Sequence, residues 1–402
     1  MGPSKTRSVA IFLDVAQPAF RRILGGIVSY ASQRRTWNVF IQENSVDSLA
    51  CPLTKHWDGI IASFDEPRRI EAVRLKIPLV GVGGGYGWYD PAMEIPYVGT
   101  DHAAVARLAA EHLLERGFVH FAFCGFTPTR VNGWSREREQ AFKAAITQTG
   151  RDCSIRNTNN PTPANWAKIQ RDLADWLTGL PRPLGLMACN DARACQVLEV
   201  CRAIGSRVPE EIAVIGVDND EAICQFTDPS LTSVDQGCRW AGYEAAALLD
   251  QWMAGSKVAG GKHTFEPVGI VTRRSTDVLA TPDADVAAAL RFIREHACEP
   301  IGLSEVLAAT QASQSTLRRR FKAVLGRTIH DEIQRVRIER AKQILLSTDW
   351  PLKQVARHTG FSSARRLAIV LREHEGISAS AYRRRYQGPG AQGFVERSAE
   401  RP

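Results

Sequence analysis

The sequence predicts an α/β domain with parallel sheets, followed by an all-α domain that carries two helix-turn-helix units. Three observations lead there. Short apolar runs alternate with amphipathic stretches through the first 275 residues. No strand pattern follows the segment "VLATPDAD" at 278–285. The whole excess of positive charge falls after that segment.

Strand candidates are 8–13, 38–43, 59–64, 78–83, 120–125, 184–189 and 212–218. Helical periodicity marks 19–33, 101–116, 136–148, 165–179, 191–204 and 239–254. Strands that alternate with helices imply parallel sheets covered on both faces. In such sheets ligands collect at the carboxyl ends of strands, where loops converge and backbone groups are free.

A chain of 402 residues is too long for one ordinary core and implies two or three domains. At 44% hydrophobic and 23% charged residues the composition is that of a soluble globular protein. No segment approaches the roughly 18 uninterrupted apolar residues of a membrane span. The first apolar run stops at Asp14 with no small-residue cleavage site after it, so it reads as a strand and not a signal peptide, and a cytoplasmic protein is expected. Nine cysteines are scattered without a CxxC pair. Neither a zinc site nor a disulfide framework is expected, only reduced thiols.

The charge is segregated. Residues 286–386 hold 19 Lys and Arg against 9 Asp and Glu, while residues 1–285 hold 30 against 32. A local excess of this kind suits a polyanion, most often nucleic acid. Two segments of this region resemble each other at a spacing of 49 residues. Each has a short helix, a turn, a serine at the next helix start (Ser313, Ser362) and a basic helix closed by glycine (Gly326, Gly376). That layout is a helix-turn-helix, whose second helix enters the major groove. In the first copy Leu317, Phe321 and Val324 fall at core spacing, which turns Ser315, Arg318 and Arg319 outward. In the second, Leu367 and Leu371 form the core stripe and leave Ala364, Arg365 and Ala368 outward. With Gln314 and Ser363 at the helix starts, these are the candidate DNA-contacting residues. Between the copies runs a long helix with Ile333, Val336, Ile338, Ala341, Ile344 and Leu345 at core spacing.

The stretches "STLRRRFKAVLG", "RIERAKQILLSTD", "VARHTGFSS" and "GISASAYRR" stand in the order and spacing of the AraC-type DNA-binding domain, which the whole helical region resembles. The second unit departs from that pattern at Arg366, Leu367, Ile369 and Ala379. The first reading helix is therefore expected to carry more of the base recognition.

In the alternating region the stretch "VIGVDND" (214–220) ends a buried strand in three hydrogen-bonding side chains. Catalysis, a metal, a polar ligand or a plain turn would each use them. A glycosidase would need a matched carboxylate pair, and a metal would need further ligands at fitting spacing. "GVGGG" lacks the lysine and hydroxyl that end a phosphate loop.

Together with "GTDH", "WSRERE", "ACNDARA" and "LTSVDQG", this stretch is similar to the effector domain of LacI-type repressors and periplasmic sugar-binding proteins. The resemblance implies a periplasmic-binding-protein-like fold of two α/β lobes with a sugar in the cleft between them. It places the ligand contacts on Asp101, Arg138, Asn190, Asp191, Asp218 and Gln236; Trp134 or Tyr86 nearby is a candidate to lie against the apolar face of the sugar ring. Carboxylates and amides at such positions pair with hydroxyls, and a guanidinium donates a fork to sugar oxygens.

A LacI-like sensor at 1–278, a linker at 279–285, an AraC-type reader at 286–386 and a disordered tail at 387–402 are therefore expected. Joined in this order they resemble bacterial regulators of pentose catabolism. That implies a homodimeric activator with D-xylose as its effector, DNA as its target and RNA polymerase as a candidate partner. Another sugar is the nearest alternative, followed by a carbohydrate-binding protein or a carbohydrate enzyme without a DNA role. No catalytic residue, cofactor or metal is expected.

Overall fold

The structure, a computed structural model, describes residues 6–34, 36–42, 57–63, 77–83, 95–129, 132–278 and 283–387. Tyr86 with its glycine-rich loop, residues 279–282 of the expected linker and the tail from 388 lie outside the described residues. The chain divides into two compact units. One comprises residues 1–112 with 119–275, the other 113–118 with 276–402.

The first unit begins with β1 (Arg7–Phe12), α1 (Pro18–Arg34), β2 (Trp37–Gln42), β3 (Gly59–Ser63), β4 (Leu79–Val82), β5 (Pro96–Thr100) and α2 (His102–Glu115). There follow β6 (His120–Phe126), α3 (Gly133–Thr147), β7 (Cys153–Thr158), α4 (Trp166–Thr178) and β8 (Leu184–Ala188). Next come α5 (Asp191–Ala203), β9 (Ile212–Val217), α6 (Glu221–Phe226), β10 (Thr232–Asp235), α7 (Cys238–Met253), β11 (Gly261–Phe265) and β12 (Gly269–Val271).

These strands form two six-stranded sheets, ordered β11-β5-β4-β3-β1-β2 and β12-β10-β9-β8-β6-β7. Every pairing is parallel except β10 with β12. The apolar run of β1 shows why. Val9 and Ile11 pack toward α1 and α7, while Ala10 and Phe12 pack on the other face with Ile60 and Tyr97. A strand buried on both faces must be apolar throughout. The α/β class expected from the alternation and the two lobes implied by the resemblance are what is observed.

The backbone passes between the sheets after β5, after β10 and after β11, and the three crossings are bonded together. Thr100 Oγ1 donates to the Gln236 carbonyl at 2.8 Å. The Asp101 amide donates to Phe265 O at 2.9 Å, and the Val268 amide to Asp235 O at 2.8 Å. Gly237 turns the second crossing in the left-handed region, at φ +76.

The second unit is all helix: α8 (Ala284–His296), α9 (Leu303–Ala308), α10 (Gln314–Leu325), α11 (Ile329–Ser347), α12 (Leu352–His358), α13 (Ala364–Glu375) and α14 (Ala379–Gln387). It has two apolar cores. Ile333 of α11 joins the core of α8 to α10, while Ile338, Ala341 and Leu345 join that of α12 to α14. Val336 and Ile344 are half-buried.

Two expectations are corrected here. Val324 is 41% exposed, and Leu325 packs against the core in its place. After Leu317 and Phe321 the buried stripe advances by four residues again, not three. The cap of α13 is Ser363, whose Oγ accepts from the Arg366 amide at 3.1 Å, and not Ser362. The helix starts at Ala364, so only the adjacent serine reaches the third helical amide.

α1 and α7 cross at glycines. A Cβ on Gly242 would sit 1.9 Å from the Ile23 carbonyl, and one on Gly26 would sit 2.0 Å from Arg239 O. Gly242→Ala must push two backbones apart, and a loss of about 1–3 kcal/mol is expected in urea unfolding of the full chain.

Candidate functional site

The carboxyl ends of β5, β8, β9 and β10 deliver Asp101, Asn190, Asp218 and Gln236 to the crossings between the sheets. A hydrogen-bonded chain runs through them. The Gln236 side chain donates to Asp218 Oδ1 through Nε2 and accepts at Oε1 from Arg138 Nη2 at 2.7 Å. Arg138 reaches in from α3 and also donates through Nη1 to the Cys189 carbonyl at 2.5 Å. His102 Nδ1 lies 3.3 Å from its Nη2. The guanidinium sits over the Trp134 ring at 4.9 Å. It is 2% exposed, and its Nε meets no acceptor among the described residues. Burial lowers its pKa, with Asp218 the strongest opposing charge.

Asp218 and its neighbour Asp191 are both pushed above the usual carboxylate range. Burial is the main cause for each. Arg138 and Arg22 pull Asp218 back down, while the charge of Asp218 raises Asp191 further. Asp191 is 1% exposed and its oxygens are already engaged. Ser233 Oγ donates at 2.6 Å, the Asp220 amide at 2.8 Å and Cys224 Sγ at 3.3 Å.

The remaining expected residues fall as follows. Asn190 caps α5, accepting from the Arg193 amide at 2.9 Å. Asp101 accepts from the Ala104 amide at 2.9 Å at the start of α2. Trp134 meets Phe126 edge-on at 6.0 Å between ring centroids, and its other neighbour is Arg138. Asp220 caps α6 through the Ala222 amide.

Sequence reasoning missed Arg22, His102 and Ser233. Arg22 bonds from α1 to the Asp218 carbonyl at 2.5 Å and pairs with Asp235 at 2.5 Å. Burial works against its charge, but Asp235, Cys238 and Asp218 together more than offset this and its pKa is raised. Its signal was its place one helical turn before Gly26, on the stripe that approaches α7.

On the second unit, Gln314, Ser315, Arg318 and Arg319 are exposed along α10, as are Ser363 and Arg365 at the start of α13. Ala364 and Ala368 are half-buried, and Ile369 is exposed at the position where the resembled domain often has arginine. Gly326 and Gly376 close the two helices in the left-handed region, at φ +73 and +70. Among the described residues no helix is long and apolar enough to cross a membrane.

Two α/β lobes meeting at a polar strand-end site, carried in one chain with paired helix-turn-helix units, define a ligand-responsive transcription regulator. Comparison with known proteins agrees. Residues 8–103 match the XylR N-terminal domain family, residues 110–276 the periplasmic binding protein-like domain and residues 306–385 a helix-turn-helix domain. The chain is 33% identical over 388 residues to the xylose operon regulatory protein of Escherichia coli K12, covering 94% of this chain and 97% of that one. It is 32% identical over 377 residues to that of Haemophilus influenzae, with 93% and 97% covered. A solved xylose-binding transcription activator, XylR, superposes with a TM-score of 0.64 at 32% identity, covering 96% of this chain and all of that one. The chain belongs to the family of xylose operon regulatory proteins.

The raised carboxyls set a pH dependence. Above the ordinary aspartate value of 3.8 the folded sensor keeps protons that the unfolded chain has released. Their contribution to stability is therefore present in acid and is lost as pH rises through the folded values. Asn mimics the protonated acid, so the stability of Asp218→Asn relative to the parent should increase between pH 4.5 and pH 7. Paired urea melts at the two pH values measure it.

Proposed function

We propose that the protein binds D-xylose where the two sheets meet and, in response, binds DNA as an activator of pentose-catabolism genes. The observation that carries this is the chain Arg138–Gln236–Asp218, which sets a cationic donor, an amide and a carboxylate in line at the strand ends. A pentose offers adjacent hydroxyls that match such alternating donors and acceptors. Asp218 grips a hydroxyl, Arg138 donates to a sugar oxygen, and Asn190 and Asp101 flank them. Asp191 holds the floor of the site through Ser233 and the Asp220 amide. Trp134 steadies Arg138 and reports on it. The names of the relatives support xylose as the ligand.

Arg318 and Arg319 of α10, with Gln314 and Ser315, read base edges in one major groove, and Arg365 with Ser363, Ala364 and Ala368 of α13 contacts the next. The protein acts in the cytoplasm as a homodimer and contacts RNA polymerase at its promoters. No residue is assigned to catalysis.

The test is a titration with D-xylose, L-arabinose, D-ribose and D-glucose, followed by intrinsic fluorescence from the nine tryptophans. Xylose should saturate, and Asp218→Ala should weaken it by about tenfold or more through loss of a charge-assisted bond. Binding of none of the four would overturn the reading of the site. For the reader, Arg318→Ala should cost about 1–3 kcal/mol of base discrimination on a DNA site selected by the parent protein from random sequence.

A further inference from the structure

We propose that Arg22 is a positioning residue that presents Asp218 to the ligand only when the two lobes are together. The proposal rests on Asp218 as the ligand-gripping carboxylate. It begins from the backbone at the end of β9. Asp218 has φ +118 and Asn219 φ +51, a region that residues with a side chain rarely adopt. Such a conformation persists where its surroundings over-determine it.

The surroundings divide by lobe. The amides are held from within the lobe of β9. Asp218 N donates to Val234 O at 3.1 Å, Asn219 N to Ser233 Oγ at 2.9 Å and Asp220 N to Asp191 Oδ2 at 2.8 Å. The carbonyls are taken from the other lobe. Arg22 Nη1 donates to Asp218 O at 2.5 Å and reaches Asn219 O at 3.5 Å. Its Nη2 pairs with Asp235, whose other oxygen accepts from the Gly237 amide at 3.0 Å, at the second crossing. One guanidinium thus bridges the strained strand end and the crossing, and it is carried on a helix that belongs to the opposite sheet.

When the lobes part, α1 withdraws Arg22, the Asp218 carbonyl loses its donor, and the carboxylate leaves its line with Gln236 and Arg138. Ligand affinity and lobe closure then become one equilibrium. A ligand that grips Asp218 favours the docked α1 by its differential affinity for that arrangement. A neighbouring cross-lobe pair, Arg21 with Asp220 at 3.8 Å, is more exposed and touches no strained carbonyl, which makes it the natural control.

The experiment is amide hydrogen exchange by mass spectrometry on the full chain without sugar, alongside sugar titrations, for Arg22→Gln, Arg22→Lys and Arg21→Gln. Arg22→Gln should speed exchange in the peptide covering 214–222 and weaken the sugar by about tenfold. Arg22→Lys, which keeps the charge without the fork, should restore part of both, and Arg21→Gln should stay within about twofold. If exchange also rises in the peptide covering 153–178, the variant is globally loosened. Asp235→Asn, which leaves Arg22 in place and removes its anchor, then carries the same expectation. Unchanged exchange at 214–222 overturns the proposal, as does faster exchange there with sugar affinity unaltered. If the parent protein binds none of the sugars, the reading of the site falls with its coupling to Arg22, while the exchange comparison still decides whether Arg22 holds the strand end.

Discussion

Backbone hydrogen bonds tie Thr100–Asp101, Asp235–Gly237 and Phe265–Val268 to one another where the chain passes between its sheets. Because the strands are parallel, their carboxyl ends arrive at the same place, and the crossings and the candidate ligand residues share positions. Gln236 is both a crossing residue and the link between Arg138 and Asp218. Asp101 is both a crossing residue and the first cap of α2. A ligand bound as proposed would touch the joint itself.

The DNA-reading unit is built on a different constraint. α11 serves two cores, and its first turns bury a carboxylate between two arginines. Glu332 is 2% exposed and takes Arg327 at 2.5 Å and Arg335 at 2.7 Å, and the two arginines hold its pKa down against the cost of burial. Removing one partner of such a group leaves an uncompensated buried charge. The second helices of the two units are unequal. α10 presents Arg318, Arg319 and Arg320 in succession, while α13 presents Arg365 and Arg366 and then the half-buried Ala368 and the exposed Ile369.

Much of this was legible in the residues, and the failures have physical reasons. β1, β3, β8 and β9 are buried on both faces and so read as apolar runs. β7, with "CSIRNT", is a half-buried edge strand whose composition is that of a loop. β11 and β12 are edge strands of sheets assembled mainly from earlier segments, and only the tertiary fold makes them strands. In the site, Asp218, Gln236 and Arg138 were visible because they sit in motifs. Arg22 was not, since its partners are more than 190 residues away in sequence. The one-residue errors at Ser362 and Val324 arise where two similar side chains adjoin and only packing selects between them.

The way the sheets share segments has a consequence for synthesis on the ribosome. The lobe of β6 to β10 is contiguous apart from its short edge strand, and its core can close as residues 119–235 emerge. The lobe of β1 to β5 is made first but cannot finish. Its apolar core includes Ala241, Ala245 and Leu249 of α7, and its sixth strand is β11. Its strands must therefore wait, without α7 and β11, for about 140 residues of later chain, the interval in which nascent parallel sheets are most open to misassembly and chaperone capture. The DNA-reading helices are translated only after that wait ends, so the nascent chain completes its sensor before it acquires its reader.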